Sequence, residues 1–472
     1  MPAYAACAAL LSVLPAFAQE AAVDARRAEI DARLAKDLVA FARSAAAQKA
    51  HDLAHEVALI VVERYDPDSP TARRLLGQRK TKDGWQPDIG APPEDAADGR
   101  VRARLDRTWE ELRRRAGELH RDLAVSLRAD GAGNAAVRTE FALALSYLPD
   151  DRVCHEGLGH EEAEGFWGPP GDVEIVRRMR GMLALAADLR ARDYDVAELS
   201  ADELPAELRQ TGLPMFGARS PRYKYWSSNS PAAALRLAGW SERCHDLLVE
   251  LLGDRGELVR AEGWRWHCVL RTPEERDLLF EKSPTTTGPF PADQARLFAG
   301  IGFSAAAGGR ASATWQGESL DADYAVANVV KRHLLDQRND GFGEGLVHVA
   351  TWLLCDSTHT YFTDLPTTVA GGFEPMPRDP DHWFERLWQE IDAGRDQPLV
   401  QVPRERPDNF RDSTRLKSWS FVFWLLARHP DRWFALIDEV SQERLTAEQA
   451  EGAFPKALGR SADELEAEWR RW

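Results

Sequence analysis

Residues 321–356 read DADYAVANVVKRHLLDQRNDGFGEGLVHVATWLLCD. Apolar residues recur here at the three- and four-residue spacing of amphipathic helices, and a polar run around Asn339 interrupts them. The pattern predicts two helices, at about 321–337 and 342–356, joined by a polar turn. The second helix opens with GFGEGL, so that Glu344 lies in its first turn, where the helix dipole favours a carboxylate.

The Glu344-Gly345-Leu346 string resembles the gluzincin-type zinc metallopeptidases of clan MA. In that family one helix carries HExxH and the next helix carries the third zinc ligand. Segments toward the end of the chain share the resemblance: Lys417-Ser418-Trp419-Ser420-Phe421, His429-Pro430-Asp431, Ala457-Leu458-Gly459 and Leu465-Glu466-Ala467-Glu468-Trp469. The resemblance covers about residues 220–472 and implies that Glu344 is the remnant of an active site.

The HExxH motif itself is missing. At the spacing common in the family, the two histidines and the catalytic glutamate would fall on Tyr324, Ala325 and Asn328. His333 is the only histidine between residues 300 and 344, so no histidine pair precedes Glu344 in any register. Without two imidazoles and a glutamate base, zinc hydroxide is not formed in the usual way. We therefore expect a metallopeptidase-like fold that has lost the reaction and holds no cofactor.

An unorthodox zinc site is the alternative. Glu344 and His348 are four residues apart and share a helix face, and His333 lies on the preceding helix. These three side chains would supply three protein ligands and leave one position for water. The chain would then be an active zinc-dependent peptidase or hydrolase, although isolated histidines on helices are more often packed or solvated.

Two other histidine motifs are interpreted as surface features. His51-Asp52-Leu53-Ala54-His55 imitates HExxH, but it is far from Glu344 in sequence and has no evident third ligand. His155 and His160 are five residues apart and point to different helix faces.

A constant offset relates two parts of the first half of the chain. Pro67-Asp68, Leu76-Gly77 and Trp85 are followed 82 residues later by Pro149-Asp150, Leu158-Gly159 and Trp167. The recurrence predicts a duplicated helical region over 19–200, in which His155 and His160 take the places of Arg73 and Gln78. This region resembles tetratricopeptide-like helical hairpins, whose usual role is partner docking, and it offers a third hypothesis, a helical-repeat scaffold.

After a proline-containing linker at 201–221, the residue composition of the sequence changes. Aromatic and β-branched residues predict strands at 223–228 and 263–270 with a helix at 232–252 between them, and a hairpin over 298–315. The remainder is predicted helical, at about 321–337, 342–356, 381–393, 413–428, 430–441, 446–458 and 461–471. The expected fold is mainly α, with a helical-repeat half and then an α+β domain over 222–472, in which a small sheet precedes the metallopeptidase-like helices.

The first 18 residues are predicted to be a signal peptide. They combine a short apolar run with Ala16-Phe17-Ala18, a small-x-small arrangement of the kind that signal peptidase cleaves. We expect an exported protein, periplasmic or secreted, with no transmembrane segment in the mature chain. After cleavage four cysteines remain, among which a Cys244–Cys268 bridge is one option in an oxidising compartment.

The net charge of −16, without a clustered basic stripe, argues against nucleic acid as a partner and leaves a protein or peptide. Of the 16 tryptophans, Trp226, Trp264 and Trp266 lie near one another in the strand region. They would either line a binding groove or, as is more common, belong to the core. The favoured hypothesis is a non-catalytic, metallopeptidase-like protein that acts in binding at the cell envelope.

Overall fold

A computed structural model of the chain describes residues 3–82, 84–88, 94–253, 266–282, 304–306, 311–315, 322–333, 340–358, 379–405, 412–441 and 445–472. Over these residues the protein is mostly helical with a small sheet, which confirms the prediction of a mainly α protein. The chain divides into two compact units, Met1–Val173 (unit 1) and Glu174–Trp472 (unit 2).

Unit 1 consists of helices and two short hairpins. Its helices are α1 (Ala3–Ala47), α2 (His51–Ile60), a π-helical turn (Val61–Tyr65), α3 (Pro70–Leu75), α4 (Gly99–Ala129), α5 (Asn134–Leu145) and α6 (Arg152–Leu158). The antiparallel hairpins are β1 (Gln78–Thr81) with β2 (Gly84–Pro87), and β3 (Glu161–Ala163) with β4 (Phe166–Gly168).

The elements of unit 1 recur with a spacing of 82 residues. Helices α1 and α4 end at Ala47 and Ala129, and helices α3 and α6 begin at Pro70 and Arg152. Each short helix leads through a left-handed glycine, Gly77 (φ 67°) or Gly159 (φ 74°), into a hairpin that carries a tryptophan. Glycine adopts this conformation without the steric penalty that a Cβ brings.

Apolar side chains at helical spacing build the core of unit 1. Leu34, Leu38 and Phe41 of α1 are buried together with Leu53 of α2. Phe41 stacks on Trp109 of α4, with 5.8 Å between ring centroids. The periodicity seen in the sequence therefore marks the faces that these helices bury.

Unit 2 contains a six-stranded mixed sheet within the described residues. In chain order its strands are β5 (Ala197–Leu199), β6 (Phe216–Arg219), β7 (Lys224–Ser227), β8 (Trp266–Leu270), β9 (Ser304–Ala306) and β10 (Ala311–Trp315). The spatial order is β5-β6-β7-β8-β10-β9, in which β8 pairs parallel with both β7 and β10 and the other pairs are antiparallel. Strand β6 falls within the stretch 201–221 that was interpreted as a linker, so the sheet begins earlier in the chain than expected.

The helices of unit 2 follow the predicted segments closely after residue 320. They are α8 (Ala206–Arg209), α9 (Pro231–Leu252), α10 (Pro273–Lys282), α11 (Ala322–His333), α12 (Asp340–Cys355), α13 (Pro380–Asp392), α14 (Asp412–Arg428), α15 (Trp433–Val440), α16 (Ala447–Leu458) and α17 (Ala462–Arg471), with α7 (Pro170–Ala191) extending across the division between units. A 3-10 helix spans Leu399–Arg404. Capping boxes start α16 at Thr446 and α17 at Ser461.

The four cysteines that follow the predicted signal peptide are free thiols. The Cys244–Cys268 bridge considered from the sequence does not form, because Cys244 Sγ on α9 lies 3.6 Å from the carbonyl oxygen of Val326 while Cys268 belongs to a separate core cluster. Burial raises the pKa of both thiols, which keeps them protonated and unreactive. Within the described ranges, each helix is too short or too polar to span a lipid bilayer.

Replacing either left-handed glycine should destabilise unit 1 through the backbone alone. A Cβ at Gly77 or Gly159 would meet no atom within 4 Å, but both residues have positive φ. We expect Gly159→Ala or Gly77→Ala to lower the free energy of unfolding by about 1–2 kcal/mol, measured by urea titration. Gly99→Ala is the matched control, since its Cβ would also meet no atom within 4 Å and its φ is not positive. An equal loss in the control would show that the left-handed backbone is not the cause.

Candidate functional site

Close packing of α12 against α14 positions the Glu344-Gly345-Leu346 segment. A Cβ on Gly345 would overlap Ser418 Oγ and lie 2.7 Å from the Ser418 carbonyl oxygen. Ser418 Oγ donates a hydrogen bond of 2.6 Å to the carbonyl oxygen of Gly341, one turn earlier on α12. Gly345 thus has a packing role, because it lets the backbones of the two helices approach.

Glu344 and His348 face each other in the interior of unit 2. Both side chains are buried, and 3.5 Å separates His348 Nε2 from Glu344 Oε1. On the other side of the ring, His348 Nδ1 lies 2.8 Å from the carbonyl oxygen of Thr358, to which it donates a hydrogen bond. The indole of Trp383 packs edge-on against the imidazole, with 4.6 Å between ring centroids. This arrangement orients Nε2 toward the carboxylate.

A buried cation accompanies Glu344. Arg415, on the first turn of α14, is buried, and burial lowers the pKa of its guanidinium while the charges of Glu344 and Asp412 raise it. Burial also disfavours the charged form of Asp412 and so raises the pKa of its carboxyl, and the charge of Arg415 opposes that rise. Carboxylate and guanidinium therefore compensate each other's desolvation in this part of the molecule.

Helix α11 occupies the place at which the resemblance would put HExxH. Ala325, at the position of the catalytic glutamate, is 1% exposed and belongs to the large core cluster of unit 2. The side chains of Tyr324, Asn328 and His333 lie outside the described residues. Asp323 is buried and accepts a hydrogen bond of 3.0 Å from Ser357 Oγ. The structure thus brings Glu344 and His348 together and leaves the third candidate ligand, His333, untested.

The pair of Glu344 and His348 has two chemical options. A shared proton between Nε2 and Oε1 would satisfy both atoms. Alternatively, an imidazole nitrogen and a carboxylate oxygen are donor types that zinc takes in proteins, and at a separation of 3.5 Å these two atoms would be able to hold one ion together. A hydrogen bond from the distal ring nitrogen to a carbonyl is also typical of metal-binding histidines. Among the described residues, no group of three or more His, Cys, Asp and Glu side chains is arranged to hold a metal ion.

Two of the segments that carried the family resemblance contact each other. Lys417 Nζ, from the first segment, lies 2.7 Å from Glu466 Oε1 of the last one and 2.9 Å from Asp396 Oδ2. Trp469 Nε1 donates a hydrogen bond of 3.1 Å to Ser420 Oγ. Burial would raise the pKa of the Glu466 carboxyl, but the hydrogen bond from Lys417 lowers it below its ordinary value. This buried ion cluster joins α17 to α14 behind the candidate site.

The tryptophans singled out from the sequence are only partly described. Trp226 is 1% exposed and packs with Leu199 and Cys268 in a small core cluster. Its ring also lies against Gly217, where a Cβ would be 2.6 Å from the indole. Trp226 is therefore a core residue in the structure, whereas Trp264 and the side chain of Trp266 are outside the described residues.

A buried polar network in unit 1 was not anticipated from the sequence. His120 Nδ1 lies 2.7 Å from Glu140 Oε2, and both side chains are fully buried. Arg27 pairs with the same carboxylate, and Tyr65 Oη lies 3.2 Å from His120 Nε2. Tyr65 Oη is also 2.6 Å from Tyr147 Oη, and these two tyrosines are 82 residues apart. This separation equals the 82-residue offset of the recurring elements, and it is the feature of the sequence by which the two tyrosines could have been related.

Equivalent positions in the two halves of unit 1 make equivalent contacts with different chemistry. Arg73 Nε donates to the Pro67 carbonyl oxygen at 2.7 Å, and His155 Nε2 lies 2.7 Å from the Pro149 carbonyl oxygen. Arg73 also bonds to Gln78 at 2.8 Å, as His155 does to His160 at 2.9 Å. The guanidinium of the first copy sits over Trp85, and the imidazole of the second stacks on Trp167. These contacts bury His155, so the interpretation of this motif as a surface feature is wrong for that residue.

The other histidine motif has its acidic residue engaged elsewhere. Asp52 lies 2.6 Å from Arg102 of α4, whose hydrogen bond lowers the pKa of the carboxyl. Asp52 therefore supports the packing of α2 on α4 rather than an HExxH-like site between His51 and His55.

A methyl group at Gly345 should disturb the helix contact that carries the candidate site. We expect Gly345→Ala to lower the free energy of unfolding by about 1–3 kcal/mol, because the Cβ would overlap Ser418 and force α12 and α14 apart. Chemical denaturation measures the change. Gly452→Ala on α16 is the control, since no atom lies within 4 Å of its Cβ and alanine favours a helix. Unchanged or increased stability in Gly345→Ala would contradict the close approach.

The second half of unit 1 should lose stability on acidification. Burial, and then the charge of His155, lower the pKa of His160 in the folded protein. The unfolded chain therefore binds the proton more readily, and the free energy of unfolding should fall as the pH drops through about 6.5. His160→Gln, which copies the residue at Gln78, should reduce this loss between about pH 7 and 5 in urea titrations. A slope unaltered by His160→Gln would refute the assignment.

The chain was compared with protein-family models, with curated proteins and with solved structures, and none of the three comparisons gives a match.

Proposed function

We propose that the chain is an exported protein whose second unit is a metallopeptidase-like domain that binds a protein or peptide partner without cleaving it. The observation that carries this proposal is that Glu344 and Arg415 are both buried in unit 2, where the charge of Glu344 raises the pKa of the guanidinium against the effect of burial. In the family that the sequence resembles, the corresponding carboxylate would neutralise a zinc ion. Here a guanidinium of the protein itself interacts with it.

Electrostatics favours this assignment over a metal site. A buried carboxylate is costly unless a positive charge is near it, and Arg415 supplies one permanently. A divalent cation beside Glu344 would have to approach that guanidinium in a medium of low dielectric constant, where the repulsion between like charges is strong. The interior of unit 2 is therefore better suited to the arginine than to zinc.

The alanine at position 325 supports the same conclusion. Peptide hydrolysis by a zinc enzyme needs a general base beside the metal-bound water. Ala325 has no titratable group, and it is packed in the core. Restoring a base at this position would require the surrounding core to accommodate a larger, charged side chain.

Unit 1 favours a role in partner docking. Its recurring helices and hairpins are consistent with a duplicated, tetratricopeptide-like scaffold, and such repeats commonly bind other proteins. The part of α1 that has a counterpart in α4 starts near residue 17, since α4 begins at Gly99. The residues before it lie outside the recurring elements, as expected of a cleaved signal peptide.

A zinc-dependent hydrolase is the second candidate, and the 3.5 Å approach of His348 Nε2 to Glu344 Oε1 favours it. The hydrogen bond from Nδ1 to Thr358 orients the ring as a metal ligand would need. This candidate requires a third ligand, for which His333 is the proposal from the sequence.

Metal analysis of the full chain distinguishes the two candidates. Protein purified without chelator should contain far less than one zinc per chain by plasma mass spectrometry, and it should leave unstructured protein substrates intact. Stoichiometric zinc that disappears in both Glu344→Ala and His348→Ala would overturn the non-catalytic proposal. Gln substitution of the exposed Glu385, on α13, is the matched control for loss of a carboxylate.

A double-mutant cycle tests the charge pair directly. Arg415→Met should lower the free energy of unfolding by about 3–5 kcal/mol, because it leaves Glu344 buried without its cation. Adding Glu344→Gln should recover much of that loss, since the uncompensated carboxylate is then removed. Additive effects of the two substitutions would mean that the residues do not compensate each other.

A further inference from the structure

Helix α13 presents an aromatic face to solvent. Trp388 is 57% exposed and Phe384, one turn earlier, is 38% exposed. The opposite face of the helix is anchored by Trp383, which is buried against His348 and Trp419. Exposed large aromatic side chains that neighbour each other on a rigid helix are typical of binding surfaces.

Carboxylates lie on the same face as these aromatic residues. At 3.6 residues per turn, the five residues Asp381, Phe384, Glu385, Trp388 and Asp392 fall within an arc of about 100° around α13. All five are exposed. We call this set the α13 stripe.

The carboxylates of the α13 stripe are available for a partner. Within the described part of the chain, Asp381, Glu385 and Asp392 form no ion pair. The nearby arginines are engaged on another face of the helix, where Arg386 and Arg395 lie 3.3 and 3.1 Å from Glu390. The stripe therefore combines negative charge with an aromatic centre.

The negative charge of the α13 stripe determines which classes of partner can bind to it. Anionic lipids and nucleic acid would be repelled by its carboxylates. A second copy docked face to face would bring like charges together, as an isologous contact places the same patch on both sides. A segment rich in lysine or arginine fits, because its cations can pair with the carboxylates and lie over the Trp388 ring.

We infer that the α13 stripe is a docking site for a basic polypeptide segment that carries apolar side chains between its cations. Trp388 is the centre of the contact and Phe384 extends it toward Trp352, from whose ring Phe384 is 5.8 Å away. The flanking carboxylates set the charge preference. This surface does not depend on whether Glu344 binds a metal, so it goes beyond the function proposed above.

Fluorescence anisotropy on the full chain tests the inference. The probe is a labelled peptide of about 12 residues that contains lysine, leucine and glycine in equal numbers, and its counterpart has glutamate in place of lysine. The lysine peptide should bind and the glutamate peptide should not. Binding of the lysine peptide should weaken at least about fivefold in Trp388→Ala. It should also weaken as salt is raised, because exposed charges are screened.

Matched variants separate the stripe from general effects of charge and hydrophobicity. Trp472→Ala removes another exposed tryptophan, and the triple variant Glu448→Gln, Glu451→Gln, Asp463→Asn removes three exposed carboxylates from α16 and α17. Both should bind the lysine peptide as the wild type does. Asp381→Asn, Glu385→Gln, Asp392→Asn should lose most of the binding. The inference is wrong if Trp388→Ala and Trp472→Ala behave alike, or if the two triple variants do.

Discussion

The contact between α12 and α14 is the constraint on which the candidate site depends. Because Gly345 has no side chain, the backbone of α12 reaches Ser418, whose hydroxyl bonds to the Gly341 carbonyl oxygen. This approach places the carboxylate of Glu344 and the guanidinium of Arg415 in the same water-poor interior. A bulkier residue at Gly345 would separate the helices and hydrate both charges. In the Glu344-Gly345-Leu346 string, the packing role of Gly345 is thus a precondition for the charge interaction of Glu344.

Because this interior is buried, each charged side chain in it needs a group of opposite charge nearby. One carboxylate in a medium of low dielectric constant needs a cation nearby, and either a metal ion or an arginine meets that need. The two solutions exclude each other on electrostatic grounds, since each repels the other. The same rule governs Lys417, which two carboxylates surround. At these two places, unit 2 balances buried charges with side chains from α14.

Much of the fold was predictable because periodicity and capping residues mark helices in the sequence. The stretch expected at 342–356 is helical over Asp340–Cys355, and the one expected at 413–428 over Asp412–Arg428. The parallel pairing of β8 was not predictable, because it depends on the course of the chain between strands. Arg415 was missed for a related reason: an arginine in the polar first turn of a helix resembles a solvated side chain. Only the tertiary contact with α12 shows that it is buried.

Unit 1 shows how a protein can keep a contact while its chemistry changes. Arg73 bonds to the Pro67 carbonyl oxygen and to Gln78. His155 makes the equivalent contacts with the Pro149 carbonyl oxygen and His160, at nearly equal distances. The geometry of the short helix and its glycine sets the positions, and side chains of different charge satisfy them. By the same physical argument, a buried guanidinium can supply near Glu344 the positive charge that a metal ion would otherwise carry. Helix geometry alone is therefore a weak guide to reaction chemistry, and the cation near the carboxylate is the feature that discriminates.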